Sequence, residues 1–238
     1  MPVNVPLHLE ACDICFSERP LAPPTPEQLV ASVAAAADSG SSLVLKGIAL
    51  SEATMDMLCV ALDGKCGGLR EIVVNHCRLD DALTVQFAAL LSHCGILNSL
   101  DLAYNHWGDA GLASVVDALT ASHAPVQELY LSHGQAVTLN SVAPLMAFLA
   151  TDTCCVKKLQ LDGARIGDDG ARALAEALRT NRTIEWLELV AVGMSQQGAD
   201  ALLSVVQETG VVRHLNLAGN EVAGDFDARL QSALANNR

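Results

Sequence analysis

The chain has 238 residues, 51% apolar and 17% charged, which excludes wholesale disorder and suffices for one large domain or two small ones. Its formal net charge of −13 opposes the phosphate backbone, so no direct nucleic-acid partner is expected. No apolar run approaches the roughly 20 residues of a membrane span. The opening MPVNVPLHLEACDICF lacks the basic start and apolar core of a secretory signal, and eight cysteines are too sparse for a disulfide scaffold, so an intracellular chain with reduced thiols and no membrane association is expected.

In chain order, residues 1–24 carry Pro2, Pro6, Pro20, Pro23 and Pro24, which predicts an extended N-terminal tail. Thr25-Pro26-Glu27 reads as N-cap, N1 and N2 of a helix over 25–39, with Leu29, Val33 and Ala36 on one face. This helix is expected to cap the first strand of a repeat array. From residue 40 to 238 the chain repeats itself. Pairs of apolar residues two apart recur at Leu43, Ile72, Leu100, Leu129, Leu159, Leu187 and Leu215, with spacings of 29, 28, 29, 30, 28 and 28 residues. Behind the pair, Gly111, Gly170 and Gly198 fall in the same place. Apolar residues then recur at helical spacing, as in Val115 and Leu119, Leu174 and Leu178, and Leu202 and Val206. Each copy therefore predicts a short strand, a turn, a helix and a return loop. One copy cannot bury its own apolar face, so the copies must stack.

The segment VKKLQLDGARIGDDGARALAEALRTNRT resembles the leucine-rich repeat family, in the long-repeat subtype typified by ribonuclease inhibitor, whose pattern is L-x-x-L-x-L-x-x-N/C-x-L followed by a helix. The resemblance covers about 200 residues. It implies an α/β solenoid of about seven repeats, curved, with parallel strands on the concave face and α-helices on the convex face. In the family an asparagine after the strand bonds to backbone groups. Here that place holds Asn105 and Asn220, Cys77 as the pattern allows, and Ile48, Gly134, Ala164 and Val192 elsewhere. The broken ladder predicts irregular turns or compensating contacts. Copy four also carries Pro144 and lacks the G-D-x-G turn.

Motifs for chemistry are lacking. Cys12-x-x-Cys15 is half a zinc site without a second pair, and Cys66 and Cys94 share a register that marks them as small buried turn residues. Neither a phosphate-binding glycine loop nor a nucleophile elbow occurs, and the seven histidines form no ligand or triad pattern. No enzyme activity, metal or cofactor is expected.

Strand alternation directs the residues between and beside the anchors to the concave face. Those positions hold Glu71, Asp101, Glu128, Tyr130, Trp186, Glu188 and His214, with Tyr104, His76 and His133 just beyond; Trp107 instead takes the core position of Ile166. Aromatics among carboxylates predict a protein-binding surface complementary to a basic helix or loop. The expected function is a non-enzymatic protein–protein interaction module. It would be a scaffold subunit of an intracellular hetero-complex rather than a homo-oligomer, in the cytoplasm, with a cytoskeletal or ciliary (flagellar) setting implied by family analogy alone. The alternative is a regulator of an enzyme, since Ran GTPase-activating proteins and ribonuclease inhibitor carry the same repeat subtype.

Overall fold

The computed structural model describes residues 7–10, 25–39, 42–134 and 137–237. Strands and helices alternate along the chain. They run β1 (Leu7–Glu10), α1 (Pro26–Ser39), β2 (Ser42–Lys46), α2 (Glu52–Leu62), β3 (Glu71–Asn75), α3 (Asp81–Leu91), β4 (Ser99–Asp101) and α4 (Asp109–Ser122). They continue with β5 (Glu128–Tyr130), α5 (Leu139–Leu149), β6 (Lys158–Gln160), α6 (Gly167–Thr180), β7 (Trp186–Glu188), α7 (Gln196–Thr209), β8 (His214–Asn216) and α8 (Phe226–Ala235). The eight strands form one parallel sheet in sequence order, the α/β solenoid that the repeat predicts.

The register follows the anchors. Leu100 pairs with Leu129, Leu129 with Leu159, Leu159 with Leu187 and Leu187 with Leu215. Both anchors of all seven copies are buried. Two buried leucines contribute about 3–6 kcal/mol of transfer free energy, whereas ordering backbone costs about 1–2 kcal/mol per residue, so a single copy is unstable without neighbours.

The edge of the sheet carries a strand beyond the seven expected copies. Residues 7–10 of the extended tail pair with β2, Leu7 opposite Leu43 and Leu9 opposite Leu45. The reason lies in the chain: Leu7, Leu9, Cys12 and Ile14 have the spacing of Ile72, Val74, Cys77 and Leu79. Leu7 stands 36 residues before Leu43, which hides this copy from a search at 28–30. The rest of the tail, including Cys12 and Cys15, lies outside the described residues. The following helix α1 begins as predicted: Gln28 N–H donates to Thr25 Oγ1 (3.3 Å) and Gln28 Oε1 accepts from Thr25 N–H (3.0 Å), a reciprocal cap.

Contacts between copies explain the glycines behind the strands. Asp81 Oδ1 accepts from the N–H groups of Gly108 and Gly111 in the next copy, both at 2.7 Å. Asp168 repeats this, its Oδ1 accepting from Ser195 N–H (2.8 Å) and Gly198 N–H (3.0 Å) and its Oδ2 from the Ser195 hydroxyl (2.7 Å). A Cβ on Gly198 would stand 2.6 Å from Asp168 Oδ1, so the carboxylate's approach requires glycine there. These bonds hold the Asp168 carboxyl below its ordinary range, the Ser195 side chain and backbone contributing most.

The asparagine ladder is partial, and each gap is filled. Asn105, 1% exposed, accepts at Oδ1 from Cys77 N–H (2.9 Å) and Leu79 N–H (3.1 Å) and donates from Nδ2 to the carbonyls of Val74 (2.7 Å) and Leu102 (3.0 Å). Asn220 makes the same four bonds with Val192, Met194, Leu189 and Leu217. Where copy four has Gly134, the Trp107 indole fills the space: a Cβ on Gly134 would meet Trp107 Cζ3 at 2.7 Å. Trp107 is buried, as its place in the repeat predicts, and its Nε1–H donates to Leu102 O (3.0 Å). In copies one, five and six, Ile48, Ala164 and Val192 are buried as apolar fillers.

Two residues past the second anchor, every copy turns left-handed. The φ angles are 66° at Gly47, 55° at His76, 57° at Tyr104, 57° at His133, 71° at Gly163, 53° at Ala191 and 74° at Gly219. Glycine adopts this region freely, while other residues do so at a cost of order 1 kcal/mol or more.

Candidate protein-binding surface

The site is built on the open face of the short strands. Because the strands are parallel and in register, residues 28 to 30 apart in sequence become neighbours across the sheet. Glu128, Lys158, Trp186 and His214 form one row and Tyr130, Gln160, Glu188 and Asn216 the next.

This register draws five of the sequence-predicted residues into one cluster. The Trp186 indole stacks on the His214 imidazole with centroids 3.6 Å apart and 14° between planes. Trp186 Nε1–H donates to Glu188 Oε1 (2.9 Å), and His214 Nε2 lies 2.8 Å from the same oxygen. The carboxylate thus fixes both rings while Trp186 stays 43% exposed. Two strands away, the Tyr130 hydroxyl donates to Glu128 Oε2 (3.2 Å) and the Lys158 ammonium pairs with Glu128 Oε1 (2.6 Å). Partial burial, and then the Glu128 charge, raise the Tyr130 phenol above its usual range; the hydrogen bond to Glu128 raises Lys158. Between the two groups lies a cleft of about 260 Å³ lined by Tyr130, Lys158, Leu159, Gln160, Trp186 and Glu188. Sequence reasoning does not single out Lys158 and Gln160, although their shared row with Trp186 and Glu188 is readable from the repeat.

The other predicted residues lie apart. Glu71 accepts from the Ser42 hydroxyl (2.8 Å), and Asp101 from the Asn75 amide (3.1 Å at Oδ2) and from Ala103 N–H (2.8 Å). Val44 and Val73, which alternation directs to the same open face, are buried side by side in register. Tyr104 stands on the left-handed rim rather than on a strand. There its ring stacks between His76 and His133, with centroids 4.4 Å apart on either side and planes 13° and 23° off parallel.

Among the described residues, no group of three or more His, Cys, Asp or Glu side chains is placed to hold a metal ion, and no helix is long and apolar enough to cross a membrane. Cys66, Cys77 and Cys94 are buried, and burial pushes the Cys77 thiol up to about 12, away from the thiolate form.

A family model described as Leucine Rich repeat matches residues 93–116 and 154–175. The chain is 27% identical over 191 residues to the bovine (Bos taurus) NACHT, LRR and PYD domains-containing protein 3, covering 80% of this chain and 18% of that protein. It is 28% identical over 183 residues to pig (Sus scrofa) ribonuclease inhibitor, covering 76% of this chain and 39% of the inhibitor. The chain therefore spans well under half the length of these curated relatives. Among solved structures it is similar to a Caenorhabditis elegans tropomodulin C-terminal domain, at a TM-score of 0.38 and 10% identity, over 90% of this chain and 93% of that one. In its repeat length, its strand–turn–helix units and its partial asparagine ladder, the chain carries leucine-rich repeats similar to those of ribonuclease inhibitor.

Proposed function

We propose that this chain is a non-enzymatic protein-binding module, a scaffold subunit of a larger cytoplasmic assembly, that holds its partner on the open face of the sheet. The observation that carries this reading is the Trp186 side chain, large, exposed and already locked by His214 and Glu188 beside the Tyr130 cleft. A fixed aromatic loses little rotamer freedom on binding, which is what makes such residues strong interface anchors. Glu71, Asp101, Glu128 and Glu188 give the face its acidic character, with Tyr130, His214 and the rim Tyr104 beside them. A basic helix or loop is the matching partner. The cytoskeletal or ciliary setting of this reading rests on family analogy alone.

The test is affinity purification followed by reconstitution of the recovered partner with purified protein. Trp186→Ala and Tyr130→Ala are each expected to weaken binding by about 2 kcal/mol, while folding stability shifts by about 0.5 kcal/mol or less at exposed Trp186 and by about 1 kcal/mol at half-buried Tyr130. Unchanged affinity in both variants, or a collapse of stability, would refute the assignment. A second reading, regulation of an enzyme held at the same face, draws on the similarity to pig ribonuclease inhibitor. It requires that the reconstituted partner be an enzyme whose turnover changes on binding, and unchanged turnover removes it.

A further inference from the structure

The rim beside the strands differs in chemistry from the open face. At the left-handed position shared by all copies, the described chain has Gly47, Gly163 and Gly219 in three copies but His76, Tyr104 and His133 in three consecutive ones. Those three rings stack face to face and remain exposed to solvent. The ladder stops where the column returns to glycine: a Cβ on Gly163 would lie 2.7 Å from His133 Nδ1. A strained position is thus occupied by ring after ring, in a place where glycine serves the fold equally well.

Beside the ladder runs an open cleft of about 530 Å³, lined by the three rings together with His106 and Arg165. Among the described residues no carboxylate lines it, although the chain has 27 acidic residues against 14 basic ones. Among the described residues the Arg165 guanidinium has no hydrogen bond or ion pair. Arg70 and Arg78 are likewise without one, whereas Arg172, Arg179, Arg213 and Arg229 each engage a carboxylate. The nearby Asp162 is 9% exposed, and its two oxygens are taken by Val190 N–H (2.8 Å) and the Gln160 amide (2.6 Å).

We propose that this rim cleft is a second docking surface, separate from the acidic open face and opposite to it in charge, and that its occupant is an extended acidic segment of a protein partner. Carboxylates of the segment pair with Arg165 in the bidentate geometry a guanidinium offers and accept hydrogen bonds from the edges of the imidazole and phenol rings. The ladder sets three such edges in a row, with 4.4 Å between neighbouring rings, a longer run than a single small anion spans.

The experiment uses the full chain and a short fluorescein-labelled peptide of alternating glutamate and serine, followed by anisotropy at low salt. Binding is expected, weakening as salt rises. Arg165→Ala is expected to reduce affinity about tenfold. Tyr104→Gly, which removes the middle ring and leaves the residue type that this column takes elsewhere, reduces it too. Trp186→Ala leaves it unchanged, so failure here is distinguishable from failure at the open face. Melting curves of each variant matching the wild type show that the losses belong to binding. No binding by the wild-type chain, retention of affinity in both rim variants, or equal binding of an oligothymidylate of matched charge would each overturn the proposal, the last by showing a nucleic-acid surface instead.

Discussion

Replacing Asn105 by alanine probes how the turns are held. Its amide serves two backbone donors, Cys77 N–H and Leu79 N–H, and two carbonyls, and it is 1% exposed. The Leu102 carbonyl keeps the Trp107 indole as a donor after the substitution. The two N–H groups keep nothing, because the methyl of alanine cannot accept and the site is closed to water. An orphaned buried polar group costs about 1–3 kcal/mol, so two of them predict a loss of about 3–4 kcal/mol for Asn105→Ala. Asn220 makes the same bonds at 2.8–3.3 Å but is only partly buried, and there water replaces the lost amide. Its alanine variant is expected to lose about 1 kcal/mol. Urea unfolding followed by circular dichroism reads both values from the shift in midpoint at constant slope. Equal costs at the two positions, or a loss at Asn105 below that at Asn220, would refute the argument that burial of the orphaned N–H groups sets the magnitude.

Two further predictions concern the same scaffold. Gly134→Ala drives a methyl against the buried Trp107 ring at 2.7 Å, and overpacking of this kind costs about 1–3 kcal/mol, read as a lowered melting temperature and a change in tryptophan emission. The Asp168 carboxyl has a folded pKa below its unfolded value of 3.8, because Ser195 and Gly198 stabilise the ionised form. Its contribution is therefore present above that value and disappears as pH falls through the lower folded pKa. Asp168→Asn is expected to be less stable than wild type at neutral pH and to approach it in acid, measured as urea midpoints across that range; a gap that stays constant with pH would count against it.

The chain's periodicity makes the anchors, the sheet order and the burial of Trp107 readable, because each is a consequence of register, and register is written in the spacing of leucines. The N-terminal strand is not readable at that spacing, since the longer stretch between Leu7 and Leu43 breaks the period even though Leu7, Leu9, Cys12 and Ile14 keep the local pattern. The exposed aromatics are legible as residues but their partners are not. That Glu188 fixes both Trp186 and His214 depends on one ring lying two residues before it and the other 26 after it, a relation visible only once strands are paired. The rim rings show the opposite case. Nothing in His76, Tyr104 or His133 alone signals a left-handed backbone, but the glycines in the same column of other copies do, because glycine recurs where positive φ is required.

The carboxylates that reach forward from Asp81 and Asp168 to the next turn give the stack a sense of direction. Copies two, three and five each supply an anion to the unit ahead, and copies three, four and six receive it from behind, so these units couple head to tail like links that fasten only one way round. A duplicated or excised unit therefore remains compatible when it brings both its acid and its glycine turn. Growth and shortening of such an array proceed by whole periods, and a cut placed between acid and turn strands one half of the fastening on each side.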